Sequence, residues 1–232
     1  MTASARTRIS FMFCLALIGQ SQARAASPDS KPLVIETKVL DVSSDKVVGH
    51  HRIVFSADRI VDFNMQDDQR PVVYDLKAGE IREVFPENSV SIREVVSAME
   101  SVAKTVTNPK HRETLGLDVE VTVNSSDGVY EASFGGARYE LHTDEIQGGP
   151  ATVALPLFVR LASALNWHQQ RGLPPFARLA LYDRVSADGR MVNRTKLIIE
   201  HGSETQQLQG TTEIVPITAA DRSRIESVDA TL

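Results

Sequence analysis

The residue types able to do chemistry in this 232-residue chain are few and scattered. His50-His51 is the densest histidine position. Neighbouring strand residues point to opposite faces, so the two rings are not expected to share one ion. His111, His142, His168 and His201 show no ligand spacing. Two acidic doublets, Asp67-Asp68 and Asp144-Glu145, are the candidates for acid and base or for cation binding. Doublets in polar loops of an acidic chain are usually solvated charge. No Gly-x-Ser-x-Gly elbow surrounds Ser203, and no glycine-rich turn ends in Lys-Ser or Lys-Thr. Metal, cofactor and nucleophilic chemistry are therefore not expected, and a carboxylate-based hydrolase is the only enzymatic reading kept.

The first residues carry the opposite kind of information. Arg6 and Arg8 precede an apolar run from Ile9 to Gly19, and Ala23-Arg24-Ala25 follows. This is the order of a secretory signal peptide over residues 1–25, with cleavage between Ala25 and Ala26. The run is shorter than the roughly 20 residues a membrane-spanning helix needs. Residues 26–31 read as a disordered leader and residues 32–232 as one domain. An extracytoplasmic location follows, periplasmic or secreted. The only cysteine, Cys14, leaves with the signal, so the mature domain has neither disulfide nor thiolate. Cleavage also removes Arg6, Arg8 and Arg24 and no acid, which takes the formal charge of the chain from -5 to -8. An acidic domain without a basic cluster argues against nucleic acid as partner. No second apolar segment suggests a transmembrane span in the mature chain.

The elements expected to position these groups are mostly strands. Leu33–Val42, Val47–Phe55, Ile60–Met65, Val72–Leu76 and Ile81–Phe85 form a meander with short turns. Ser91 and Glu94 have capping-box spacing, and Ile92, Val95, Val96, Met99, Val102, Ala103 and Val106 make one apolar stripe, so a helix is expected to about Val106, stopped by Asn108-Pro109. Leu117–Val123 alternates strictly, and two more strands follow around Tyr130–Phe134 and Tyr139–Leu141. A second helix is expected from Leu155 or Pro156, in its first turn, to Gln170. Leu179–Val185 and Met191–Glu200 read as strands joined through Asp188-Gly189, then a strand over Thr211–Ile217 and a short helix over Ala219–Glu226. The sum is an α+β fold: a strongly curled antiparallel sheet, an open half-barrel of about ten strands, with two main helices on its concave face.

The segment Val72-Val73-Tyr74-Asp75-Leu76, with Lys77-Ala78-Gly79 and Ile81, is similar to the Tyr-Asp hairpin of the LolA/LolB-like lipoprotein carriers. The layout also resembles that superfamily, whose members are unclosed antiparallel barrels with a helical lid over an apolar cavity. The family's opening helix and its Asp-Gly-aromatic approach to the hairpin are absent here, and no functional residue is carried over. The curled-sheet layout with apolar helices, which the resemblance supports, suggests a non-enzymatic carrier or binder of a lipid, acyl chain or lipoprotein. The wide apolar coverage of the second helix, by Leu157, Phe158, Leu161, Leu165 and Trp167, reads either as a plain core or as a groove in which these residues face a ligand. The alternative is a module of the cell envelope with a filled core that binds another envelope protein.

Overall fold

The computed structural model describes residues 32–67, 70–84, 88–145 and 149–231. The signal sequence, its Ala25–Ala26 junction, the leader and Asp68 lie outside these residues. Pro32–Leu232 form one compact unit.

The first half of the sheet is a meander of six strands, one more than the sequence suggests: β1 (Leu33–Asp41), β2 (Lys46–Phe55), β3 (Arg59–Asn64), β4 (Val72–Asp75), β5 (Glu80–Glu83) and β6 (Asn88–Ser91). Side chains alternate across the pleat, and both faces are buried. Ile35, Ile53, Phe55, Ile60, Tyr74 and Ile81 enter the large core on the inner face. Val34, Val54, Val61, Phe63 and Val73 enter a smaller one on the outer face. The β4–β5 turn is set by Asp75, whose Oδ1 accepts the Ala78 amide at 2.7 Å, and by Gly79 at φ 74°.

Helix α1 (Ile92–Thr105) starts at Ser91, whose hydroxyl accepts the Glu94 amide. Val95 and Met99 of its stripe are fully buried. Asn108-Pro109 does not simply end helical structure. Asn108 accepts the Lys110 and His111 amides and so caps a further helix, α2 (Pro109–Leu115). Arg112 ties α2 back by donating to the carbonyls of Ala103 and Val106. The α2 C-terminus lies so close to the Gly135-Gly136 turn that a Cβ on Gly135 would meet the Thr114 carbonyl at 2.5 Å, which requires glycine there.

Three strands follow: β7 (Thr122–Asn124), β8 (Val129–Phe134) and β9 (Ala137–Glu145). The alternation from Leu117 is real in burial, but Leu117 and Asp118 lie in a turn and only the last part pairs, so the expected long strand is a three-residue one. Helix α3 (Ala151–His168) begins earlier than expected and holds Pro156 in its interior, not in its first turn. Proline lacks the N–H that would bond Thr152 O, and Ser186 Oγ supplies it instead at 3.0 Å. Ser186→Ala removes that donor and leaves the carbonyl unpaired. We expect a loss of about 1–2 kcal/mol in urea unfolding, and a neutral result would show that water replaces the hydroxyl.

Leu179–Val185 is not a strand. It belongs to α4 (Phe176–Ala187), where Ala177, Leu181 and Val185 recur every four residues and are all buried. Then come β10 (Arg190–His201), β11 (Glu204–Val215) and α5 (Ala219–Asp229).

The eleven strands form one antiparallel sheet, curled and not closed into a barrel, in the order β6-β5-β4-β3-β2-β1-β11-β10-β9-β8-β7. The first and last strands thus meet at its centre. Helices α1, α3 and α4 cover the inner face. Beyond the two helices read from the sequence, α4 joins that layer. Helix α5 covers the outer face of the meander, where Val228 and Ile225 meet Val34, Val54 and Phe63.

Candidate functional site

The histidine pair is split across the sheet, as strand geometry requires. On the outer face His50 Nε2 lies 2.9 Å from Glu36 Oε1. On the inner face His51 Nδ1 lies 2.8 Å from Asp62 Oδ1. Burial opposes protonation of His51, but the hydrogen bond and charge of Asp62 outweigh it, and its pKa is raised. A raised histidine contributes stability below its unfolded pKa of about 6.5 and loses it as pH rises through the folded value. His51 is flanked across its strand pairs by Thr37 and Asn64, and Thr37 by Thr212. The described hydrogen bonds link no threonine hydroxyl to the His51 ring, so this row is not assembled as a nucleophile and base.

The acidic doublets do not converge. Asp67 pairs with Arg70 on the surface. Glu145 pairs with Arg190. Asp144 instead accepts from Asn193 Nδ2 at 2.7 Å and lines a cleft of about 710 Å³ bounded by β9, β10, β11 and the Asp127 turn.

The cleft follows from register. β10 pairs with β11 only from Arg194↔Thr211 to His201↔Glu204. Beyond that point β11 continues along β1 to Val34↔Val215, while β10 continues along β9 to Arg190↔Glu145. A bulge at Asn193, between Val192 and Arg194, accompanies the parting. The two strands therefore fork. Arg194 Nη2 donates to His142 Nδ1 at 3.1 Å, which puts the ring proton on Nε2, facing Glu140 at 2.6 Å. Arg190 Nε donates to Thr143 Oγ1, and a Cβ at Gly128 would meet the Arg190 guanidinium at 2.7 Å. Asn193 Oδ1 is buried without a partner among the described residues.

The α3 residues expected to face a ligand are placed as follows. Phe158, Leu161 and Leu165 are buried in the inner core. The Phe158 ring makes edge contacts with Phe55 at 6.3 Å and Tyr74 at 5.7 Å. Trp167 is half-buried against Phe176 at 5.6 Å. Leu157 points outward near Val153, which is 65% exposed. In this conformation the space under α3 holds its own side chains.

Of the cleft, Asp144 stands out in the sequence as part of an acidic doublet and His142 as a histidine without ligand spacing. Asn193, Arg194 and Thr211–Ile214 sit in ordinary strand patterns, and their proximity depends on pairing register. Among the described residues no three His, Cys, Asp or Glu could hold a metal ion, and no helix is long and apolar enough to cross a membrane. No protein-family model matches the chain, and no curated protein is significantly similar to it.

Proposed function

We propose that this protein is a non-enzymatic, extracytoplasmic carrier or binding domain for a lipid, an acyl chain or a lipoprotein, similar in plan to the LolA/LolB-like carriers. The observation that carries the reading is the unclosed sheet whose apolar inner face lies against one helical layer of α1, α3 and α4. The Tyr74-Asp75 hairpin supports the family likeness. The ligand enters by replacing Phe158, Leu161 and Leu165 against Phe55 and Tyr74, so α3 acts as the lid. Burying an acyl chain there exchanges one set of apolar contacts for another, with gain from the chain's removal from water.

Native mass spectrometry of protein taken from its own membranes tests this, joined to titration with phospholipid vesicles. A co-purifying acyl species is expected. So is a change in emission of Trp167, the single tryptophan, which lies at the end of α3. Absence of bound lipid together with no thermal stabilisation by added lipid overturns the reading. The filled space under α3 favours the second reading, an envelope module that binds protein.

A further inference from the structure

We propose that the fork between β10 and β11 is a docking slot for an extended segment of another polypeptide, one with basic side chains at alternate positions. This goes beyond acyl-chain carriage, since no residue of α3 lines the cleft.

The backbone carries the first part of the case. Over Thr212–Val215, β11 is paired with β1 on one side only. Over Arg190–Asn193, β10 is paired with β9 on one side only. Among the described residues no strand completes either facing edge. Such edges are templates for strand addition, in which main-chain bonds give affinity and alternate side chains give selectivity. The four β11 residues span roughly 13 Å, enough for a guest strand of four or five residues.

Charge supplies the second part. Asp127, Asp144 and Glu213 line the cleft, and none has an ion pair among the described residues. Arg194 is the one arginine or lysine in the lining, and it is turned toward His142. The lining is thus acidic where a guest would lie.

The faces then fix the guest's pattern. Glu213 is opposite Glu36, which pairs with Arg52 of the outer face, whereas Ile214 is opposite Ile35 of the inner core. Ile214 is 49% exposed. A guest strand alongside β11 presents Lys or Arg outward toward Glu213 and Asp144, and a β-branched aliphatic residue inward toward Ile214 and Thr212. The unpartnered Asn193 Oδ1 is an acceptor near the point where the strands part.

The test is selection of a phage-displayed library of random nonapeptides against the purified protein. Enriched sequences are expected to alternate Lys or Arg with Val, Ile or Thr. A synthetic peptide of the enriched sequence should shift the amide resonances of Met191–Arg194 and Thr212–Val215. Glu213→Lys, at a side chain with no ion pair among the described residues, should weaken that peptide about tenfold or more at unchanged melting temperature. No enrichment, enrichment of acidic or unpatterned peptides, or shifts confined to the outer edges β6 and β7 overturns the proposal. Lipid-free protein that still binds the peptide separates this site from the acyl-chain reading.

Discussion

Arg52→Met is expected to cost about 3–5 kcal/mol of stability, because it removes both close guanidinium bonds from a buried carboxylate and leaves it only Arg224 Nη1, 3.8 Å away, as counter-ion. Asp221 in the first turn of α5 is fully buried. Arg52 grips it with two bonds, Nε at 2.9 Å and Nη2 at 2.7 Å, while Nη1 reaches Glu36 at 2.7 Å. Asp221 also caps α5, accepting the amide and hydroxyl of Thr218. One guanidinium therefore fastens a terminal helix to the middle of the sheet. Lysine has a single point of charge and cannot fork to both carboxylates, so Arg52→Lys should recover only part of the loss. Urea denaturation with a fitted midpoint checks this, and a loss below about 1 kcal/mol would mean that water reaches Asp221.

The pH dependence has a definite sign. Burial raises the Asp221 pKa, but Arg52 and Thr218 outweigh it and hold it below the usual range. Glu36 is lowered to about 2, chiefly by its hydrogen bond from Lys38, against the opposing effect of burial and with help from His50 and Arg52. Lowered carboxylates contribute stability above their unfolded values of about 4 and lose it as pH falls through the folded ones. The parent should thus weaken from about pH 4 towards 2. In Arg52→Met the buried Asp221 gains a proton more readily, so the gap between variant and parent should narrow on acidification.

Phe158→Ala is expected to be of similar size, about 3–5 kcal/mol, since it removes a ring that meets both Phe55 and Tyr74 and leaves a cavity under α3. At roughly 2–4 °C per kcal/mol for a domain of this length, the melting temperature should fall by about 6–20 °C. Phe158→Leu keeps most of the volume and should lose much less. The same variant bears on function. Where α3 is a lid, emptying the space should let an acyl chain bind more readily and restore part of the lost stability. Where the core is simply filled, added lipid should leave the variant as unstable as before.

The sheet was legible because its strands follow a period of two and its turns carry Gly, Asp and Asn. The α+β class, the antiparallel sheet and the stripe of α1 could be read from spacing alone. Other features turned on context. Asn108-Pro109 ends one helix and starts the next, and the same two residues suit both roles. Leu179–Val185 is too short an apolar run for its period to separate strand from helix, and its packing among α3, β8 and β10 decides. Pro156 suits a first turn, and only the distant Ser186 makes it tolerable inside a helix. The cleft was least legible, because a fork between strands is a matter of who pairs with whom.

The placement of β1 beside β11 has a kinetic consequence. A chain made from its N-terminus can complete the β1–β6 meander early, but the other edge of β1 stays open until Glu204–Val215 emerge. Contacts this distant in sequence form slowly. Throughout that delay Val34–Val39 is an unguarded template, rich in Val, Ile and Thr, to which another nascent chain can add. Yield should therefore depend on a holding chaperone that covers this edge, and a circular permutant that keeps α5 and links its end to β1, so that β11 precedes β1 in the chain, should fold faster than the natural order.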